Sequence, residues 1–263
     1  MAEPGKRPNR PTHTGTVTVR EQVSPSMVRL TIRSSSVTDG TFVPNGFTDA
    51  YFKLVLPDAG GDDVMRTYTV RRWLVAESSF EADFMVHGTA GLAGPWARDV
   101  QVGGELRFRG PGGAYVPDSE AGSHLYVADL AALPAVEAAL DVLPDDAAGH
   151  VVVVHDEPED VRDLITSLAV QWVVDADLAT AYDKAVSLIE ELPELPGLQA
   201  FVHGEAGFVR KLRPHLRVDR AVPAARLSIS GYWKQGRTDE VWRTEKKDWM
   251  RPVNDREAQL DPA

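Results

Sequence analysis

The sequence predicts a chain in two parts: a six-stranded antiparallel β-barrel over residues 14–118, then a parallel α/β sheet over residues 119–263, behind a disordered tail at 1–13. Three observations predict it. Short alternating apolar runs divided by turn formers fill the chain as far as residue 110. Near residue 120 the pattern changes to fully apolar runs that alternate with stretches of helical spacing, which implies parallel strands covered by helices. The head of the chain, up to Pro11, is rich in proline and charge and has no periodic apolar pattern.

Six runs make the barrel: "GTVTVREQV" (15–23), "MVRLTIR" (27–33), "AYFKLVL" (50–56), "RTYTVRR" (66–72), "FEADFMVH" (80–87) and "ELRFRG" (105–110). Pro25, "TDG", "PNG" and "DAGGDD" separate them, as turns at strand ends require. The segment 110–123, "GPGGAYVPDSEAGS", reads as the join. After it, "HLYVADL" (124–130), "HVVVVHD" (150–156), "QWVVDA" (171–176), "LQAFVHG" (198–204) and "ARLSISGYW" (225–233) read as strands. Helices follow at 131–143, from Leu178 onward and over "EAGFVRKLRPHL", with a last amphipathic helix in "GYWKQGRTDEVWRTEKKDWMR" (231–251). The acidic stretch "HDEPEDVRD" (155–163) reads as a solvated helix start. Barrel first and α/β sheet second is the order of ferredoxin-reductase-like flavoproteins, an analogy of fold alone.

Composition narrows the function classes. The chain carries 28 basic and 39 acidic residues, a net charge of −11, so it is not expected to bind nucleic acid or an anionic membrane broadly. It has no cysteine, which excludes disulfides, cysteine-ligated iron–sulfur clusters and thiolate catalysis. The first twenty residues lack the apolar core of a signal peptide, and the apolar stretch 125–144 is broken by Asp129, Glu137 and Asp141. A cytoplasmic, monomeric protein is expected, and the seven histidines show no metal-ligand spacing.

Two segments carry candidate chemistry. In "VMRTYTVRRW" (64–73), strand alternation sets Arg66, Tyr68, Val70 and Arg72 on one face. A guanidinium offers a fork of donors to phosphate, a tyrosine offers a ring face to a flat aromatic ligand, and the Thr69 hydroxyl can bond a polar ring edge. A solvent-facing strand with arginines for solubility gives the same pattern. In "DFMVHGTAGLAGPWARDV" (83–100), a glycine-rich turn after His87 and Gly88 opens a short helix near Trp96, and free N–H groups at a helix start suit a pyrophosphate. Taken alone, that segment better fits a glycine-rich structural turn, with His87 as a hydrogen-bonded structural residue. Near the C-terminus, Trp242 and Trp249 lie seven apart on one helix face, with Arg243, Lys246 and Lys247 on a neighbouring one. These cations either line a site for an anion or pair in solvent with Glu245 and Asp248.

Taken in order, "YFKLVLP", "RTYTVRR", "DFMVHG", "GPGGAY", "LAALPAVEAAL", "VHGEAGFVRKLRPHL" and "SGYWKQGRTDEVW" resemble the siderophore-interacting protein family of FAD-dependent ferric-siderophore reductases, from about residue 14 to 249. The resemblance implies FAD held by Arg66, Tyr68, Thr69, Val70, Met85, His87, Gly88, Ala93, Gly94, Trp96, Asp129 and Tyr232. It implies a ferric siderophore bound by Lys53, Arg243, Lys246 and Lys247, and NAD(P)H or reduced ferredoxin as electron donor. Two departures stand out. "GLAGPWA" puts Gly94 where the family has a phosphate-binding serine, and "ADLAALPA" keeps Asp129 but puts Leu130 and Ala131 where the family has glutamate and threonine. A relative that binds flavin or siderophore without turnover, and a general flavin or ferredoxin-type reductase, remain open beside the reductase.

Overall fold

The structure is a computed structural model that describes residues 11–86 and 91–257. It divides into two compact units, residues 1–116 and 117–263.

The first unit is one curled antiparallel sheet. Its strands are β1 (Thr12–Ser24), β2 (Met27–Arg33), β3 (Tyr51–Pro57), β4 (Asp63–Thr69), β5 (Arg72–Leu74), β6 (Ser79–Met85) and β7 (Glu105–Gly112), with the helix α1 (Ala93–Asp99) after β6. Their order is β4-β3-β7-β1-β2-β6-β5, seven strands where the sequence pattern predicts six. The extra strand arises because the run 66–72 is cut in two at Val70 and Arg71. The Val70 N–H donates to Ala50 O (2.7 Å), but the next amide, Arg71 N–H, donates to Glu81 O (2.8 Å). Two consecutive residues therefore cross from one edge of the sheet to the other, and the sheet must curl until its edges approach. The rings of Tyr68 on β4 and Phe84 on β6 accordingly lie 4.3 Å apart.

Alternation along the strands fills the inside of the curl with Leu30, Ile32, Phe52, Leu54, Phe80, Phe84 and Phe108. Phe42 packs among them, its ring 4.8 Å from Phe108 and 5.1 Å from Phe80. Thr12 and His13 belong to β1, paired with Arg109 and Phe108, rather than to a tail. Residues 1–10 lie outside the described residues.

The second unit holds β8 (Ser123–Asp129), α2 (Leu133–Leu140), β9 (Gly149–His155), β10 (Ala169–Val174), α3 (Leu178–Glu190), β11 (Leu198–Glu205), α4 (Ala206–Pro214), β12 (Leu227–Trp233) and α5 (Asp239–Glu257). All five strands run parallel in the order β10-β9-β8-β11-β12. The central strands β8 and β11 are buried on both faces, which explains the apolar runs Leu125–Ala128 and Ala200–Val202 at their centres. Val127, Val154 and Val202 share one core with Ala181, Tyr182 and Ala185 of α3 and Phe208 and Leu212 of α4. Asp177 caps α3, its carboxylate accepting from Ala179 N–H (3.2 Å) and Thr180 Oγ1–H (2.8 Å).

The stretch 155–163 departs from expectation. It holds a short 3-10 turn, Pro158–Asp160, and Asp160 is fully buried with its Oδ2 2.7 Å from His155 Nε2. A solvated helix start would have left that carboxylate in water; the buried imidazole of His155 draws it inward. Charge is unevenly shared between the units: 13 basic and 12 acidic residues in 1–116, against 15 and 27 in 117–263. Among the described residues no helix is long and apolar enough to cross a membrane.

Candidate flavin site

β4 forms one edge of the first sheet and pairs with β3 so that Tyr68 stands beside Phe52 and Arg66 beside Leu54. Neighbours in register share a face, so Arg66 and Tyr68 lie on the side of the curl that carries the core. Tyr68 is half-buried against that core, and Phe84 bridges it to Trp96 of α1, the Phe84 and Trp96 rings being 5.6 Å apart. Thr69 and Val70 are buried, Val70 as a core residue whose amide is spent on Ala50. The alternation expected through Val70 and Arg72 stops at Thr69, where the chain turns to the other edge. Arg71 is buried as a consequence and Arg72 is exposed, its Nε 3.9 Å from Glu81.

Met85 ends β6, and Ala93 and Gly94 open α1 next to it. Gly94 is explained by packing. A Cβ there would come within 2.9 Å of the Met85 carbonyl oxygen, so a serine at this position requires the junction of β6 and α1 to shift. His87 and Gly88 lie outside the described residues. The structure thus sets a guanidinium and a half-buried phenol ring on one face of β4, with Phe84 linking the ring to Trp96, while the register puts Thr69 on the opposite face with Lys53.

Lys53 lies on the opposite face from Arg66 and Tyr68. It pairs with Thr67 of β4 and Arg109 of β7, and so stands on the outer face of the sheet. The other three predicted cations belong to α5, in the second unit. Arg243 is exposed and 3.7 Å from Asp239, and Lys247 is exposed. Lys246 turns inward: its Nζ donates to Ser230 Oγ (2.9 Å) and to Gly231 O (2.8 Å), and burial holds its pKa below the ordinary lysine value. Glu245 and Asp248, the expected partners of the lysines, accept instead from Arg237 (2.8 Å) and from Arg251. Trp242 is buried and docks the helix, with the Trp249 ring 5.4 Å away and Arg210 over that ring at 4.7 Å.

Asp129 ends β8 and is 4% exposed. Its Oδ2 accepts from the Trp233 indole N–H (2.7 Å) and the Glu205 amide (2.8 Å), and its Oδ1 accepts from the amides of Ala131 (3.0 Å) and Ala132 (3.2 Å). Burial pushes its pKa up to about 6, against the pull of those four donors. The Tyr182 hydroxyl, 3.5 Å from Oδ2, is pushed up strongly by its own burial and by the Asp129 and Glu205 charges. Tyr232, on β12, packs edge-on to His203 with ring centres 4.9 Å apart. His203 stacks on Phe201 at 3.8 Å, and burial aided by the Lys246 charge lowers its pKa to about 3. Sequence reasoning missed Gly204, Glu205, His203 and Trp233. The available signal was charge ending an otherwise apolar strand, which marks both Asp129 and Glu205.

A curled antiparallel sheet with an Arg-x-Tyr-Thr edge, followed by a parallel five-stranded sheet, is a ferredoxin-reductase-like architecture. The ferredoxin reductase of carbazole 1,9a-dioxygenase shares that fold at TM-score 0.67 and 16% identity, over 85% of this chain and 70% of its own. Family models place the chain further: that of the siderophore-interacting FAD-binding domain matches residues 60–115, and that of the siderophore-interacting protein matches residues 121–236. Ferric vibriobactin reductase ViuB of Vibrio cholerae is 33% identical over 73% of this chain and 76% of its own. The siderophore-interacting protein SipS of Aeromonas hydrophila superposes at TM-score 0.79 and 30% identity, over 91% of this chain and 98% of its own. The chain belongs to the siderophore-interacting protein family, and its cofactor is FAD.

Proposed function

We propose that this chain reduces a ferric siderophore in the cytoplasm and thereby releases Fe(II) for iron acquisition. The observation that supports it most directly is the Arg66–Tyr68 edge of β4 lying inside the matched FAD-binding segment. Bound FAD can accept two electrons and pass them on singly, which suits a one-electron change at iron. Fe(III) is held by hard, anionic oxygen donors and Fe(II) far more loosely, so one electron is enough to make the metal exchangeable. The chain's own task is to hold and orient. Arg66 is assigned to a phosphate of FAD, Tyr68 to the ring system and Thr69 to its polar edge, with Ala93, Gly94 and Trp96 closing the phosphate side. Arg243 and Lys247, both exposed on α5, are assigned to the anionic iron complex; Lys53, on the face of β3 away from Arg66 and Tyr68, is not. Lys246, spent on Ser230 and Gly231, is assigned to fastening α5.

The test is anaerobic reoxidation. The FAD-loaded protein, bleached by dithionite without excess, should regain its yellow colour on adding a ferric siderophore, and a ferrous chelator should trap Fe(II) in proportion. Recovery of colour with oxygen or free ferric citrate but not with any ferric siderophore would turn the assignment to a general flavin reductase.

A further inference from the structure

In an open parallel sheet, ligands enter the crevice outside the carboxyl ends of the strands, where the strand order reverses. Here β8, first of the five along the chain, stands in the middle of the order β10-β9-β8-β11-β12, so the reversal falls between β8 and β11. A dinucleotide would lay its pyrophosphate on the first turn after β8, over the amides that open α2. That turn is "DLAAL" and contains no glycine. Leu130, Ala132 and Leu133 are buried, and the amides of Ala131 and Ala132 already donate to Asp129 Oδ1.

The other side of the crevice is arranged alike. Glu205 ends β11 and is buried; its Oε2 accepts from Phe208 N–H (2.8 Å), capping α4. Its Oε1 accepts from Lys234 Nζ (3.0 Å) and the Gln235 amide (3.2 Å). Gly204, the one glycine between these carboxylates, leaves room for a side chain of this chain: a Cβ there would stand 2.7 Å from Asp129 Oδ2. Both helix starts at the reversal are therefore filled by the protein's own carboxylates. Lys234 is the only lysine or arginine ion-paired to either of them among the described residues.

We propose that Asp129 and Glu205 occupy the seat of a nucleotide pyrophosphate, so that the crevice of the second unit is closed to NADH and NADPH. Of the two donor classes that the family resemblance leaves open, this leaves a protein carrier that reaches the flavin without lying on this sheet. The inference rests on the proposed function only for the need of a reductant; the closed crevice stands without it.

The experiment reads binding, not turnover, and so fails separately from the reductase assignment. FAD-loaded protein is titrated with NADH, NADPH and ADP-ribose while the indole N–H resonance of Trp233 is followed, because that group bonds Asp129 in the crevice. The expected result is no saturable movement of Trp233 up to about 1 mM, the concentration that corresponds to roughly 4 kcal/mol of binding. Saturation below that concentration with Trp233 moving would overturn the proposal; binding that leaves Trp233 still would uphold it. A double variant, Asp129→Asn with Glu205→Gln, checks the cause. If it folds, as judged by its near-ultraviolet circular dichroism, inorganic pyrophosphate should bind it at least about tenfold more tightly than the parent. No gain in a folded variant would overturn the role given to the two carboxylates; if the variant does not fold, the parent titration decides alone.

Discussion

Asp129 and His203 are both buried and titrate away from their ordinary values in ways that act oppositely on stability. The Asp129 carboxyl is raised to about 6. Between the ordinary carboxylate value and that pH the folded chain holds a proton that the unfolded chain has lost, so stability falls as pH rises through the window. The cost is fully present above pH 6 and is on the order of 3 kcal/mol. The His203 imidazole is lowered to about 3, so between there and 6.5 the unfolded chain holds the extra proton. Stability from that group is present above 6.5 and is lost as pH falls. The two slopes oppose each other between pH 4 and 6. Asp129→Asn should remove one of them, so that unfolding free energy in urea climbs more steeply from pH 4 to 6.5 in the variant than in the parent. Equal slopes would mean that Asp129 ionises normally. For the flavin, Arg66→Ala removes a charge-assisted contact worth roughly 1.5–3 kcal/mol, so FAD affinity should drop about ten- to a hundredfold, measured by flavin fluorescence titration.

Elements whose burial follows a simple period were legible, and elements shaped by distant partners were not. β2, β3, β8, β9 and β11 fall within a residue or two of their apolar runs, because alternation or continuous burial writes itself into the residues. The run 66–72 reads as one strand because nothing local shows that Val70 bonds Ala50 while Arg71 bonds Glu81. Likewise "HDEPEDVRD" looks solvated because its polarity conceals the bond between Asp160 and His155. At the candidate site, the Arg-x-Tyr-Thr motif was visible as residue types. That Lys53 faces away from Arg66 and Tyr68 follows only from the register of β3 against β4. Gly204 shows how such distant constraints can be tested. Its backbone φ of +143° is one that side-chain-bearing residues avoid, and a methyl group would strike the Asp129 carboxylate. Gly204→Ala should therefore lower unfolding free energy by roughly 1–3 kcal/mol, read from the urea midpoint, and should also disturb the Trp233 indole resonance. A neutral outcome at both readouts would mean that the β11 end adapts freely.

At the scale of the whole molecule, the excess negative charge belongs almost wholly to the second unit. The first unit is near neutral, with 13 basic against 12 acidic residues. Exposed charges more than about 8–10 Å away are largely screened at cellular salt, so local cations rather than the net −11 govern capture of an anionic iron complex. Neutralising Arg243 and Lys247 together should raise the KM for a ferric siderophore by roughly tenfold, most at low salt, with FAD content unchanged. Identical kinetics across a salt series would place the pocket elsewhere.

The join between the units has a consequence for the chain as a piece of covalent chemistry. The amides of Ala114 and Tyr115 donate to the Asp49 carboxylate (2.8 Å each), and the Tyr115 carbonyl accepts from Thr48 N–H (2.9 Å), so the first unit grips its own end as far as Tyr115. Immediately beyond, Val116 is 49% exposed in irregular backbone. Val102, Val142 and Ile165 are more exposed but lie within a unit, whereas an endopeptidase that favours small aliphatic residues and cuts at Val116 leaves a complete apolar core on each side. Limited digestion would then partition the protein by colour: the lighter, near-neutral fragment would keep the yellow of the flavin, and the heavier, acidic fragment would be colourless.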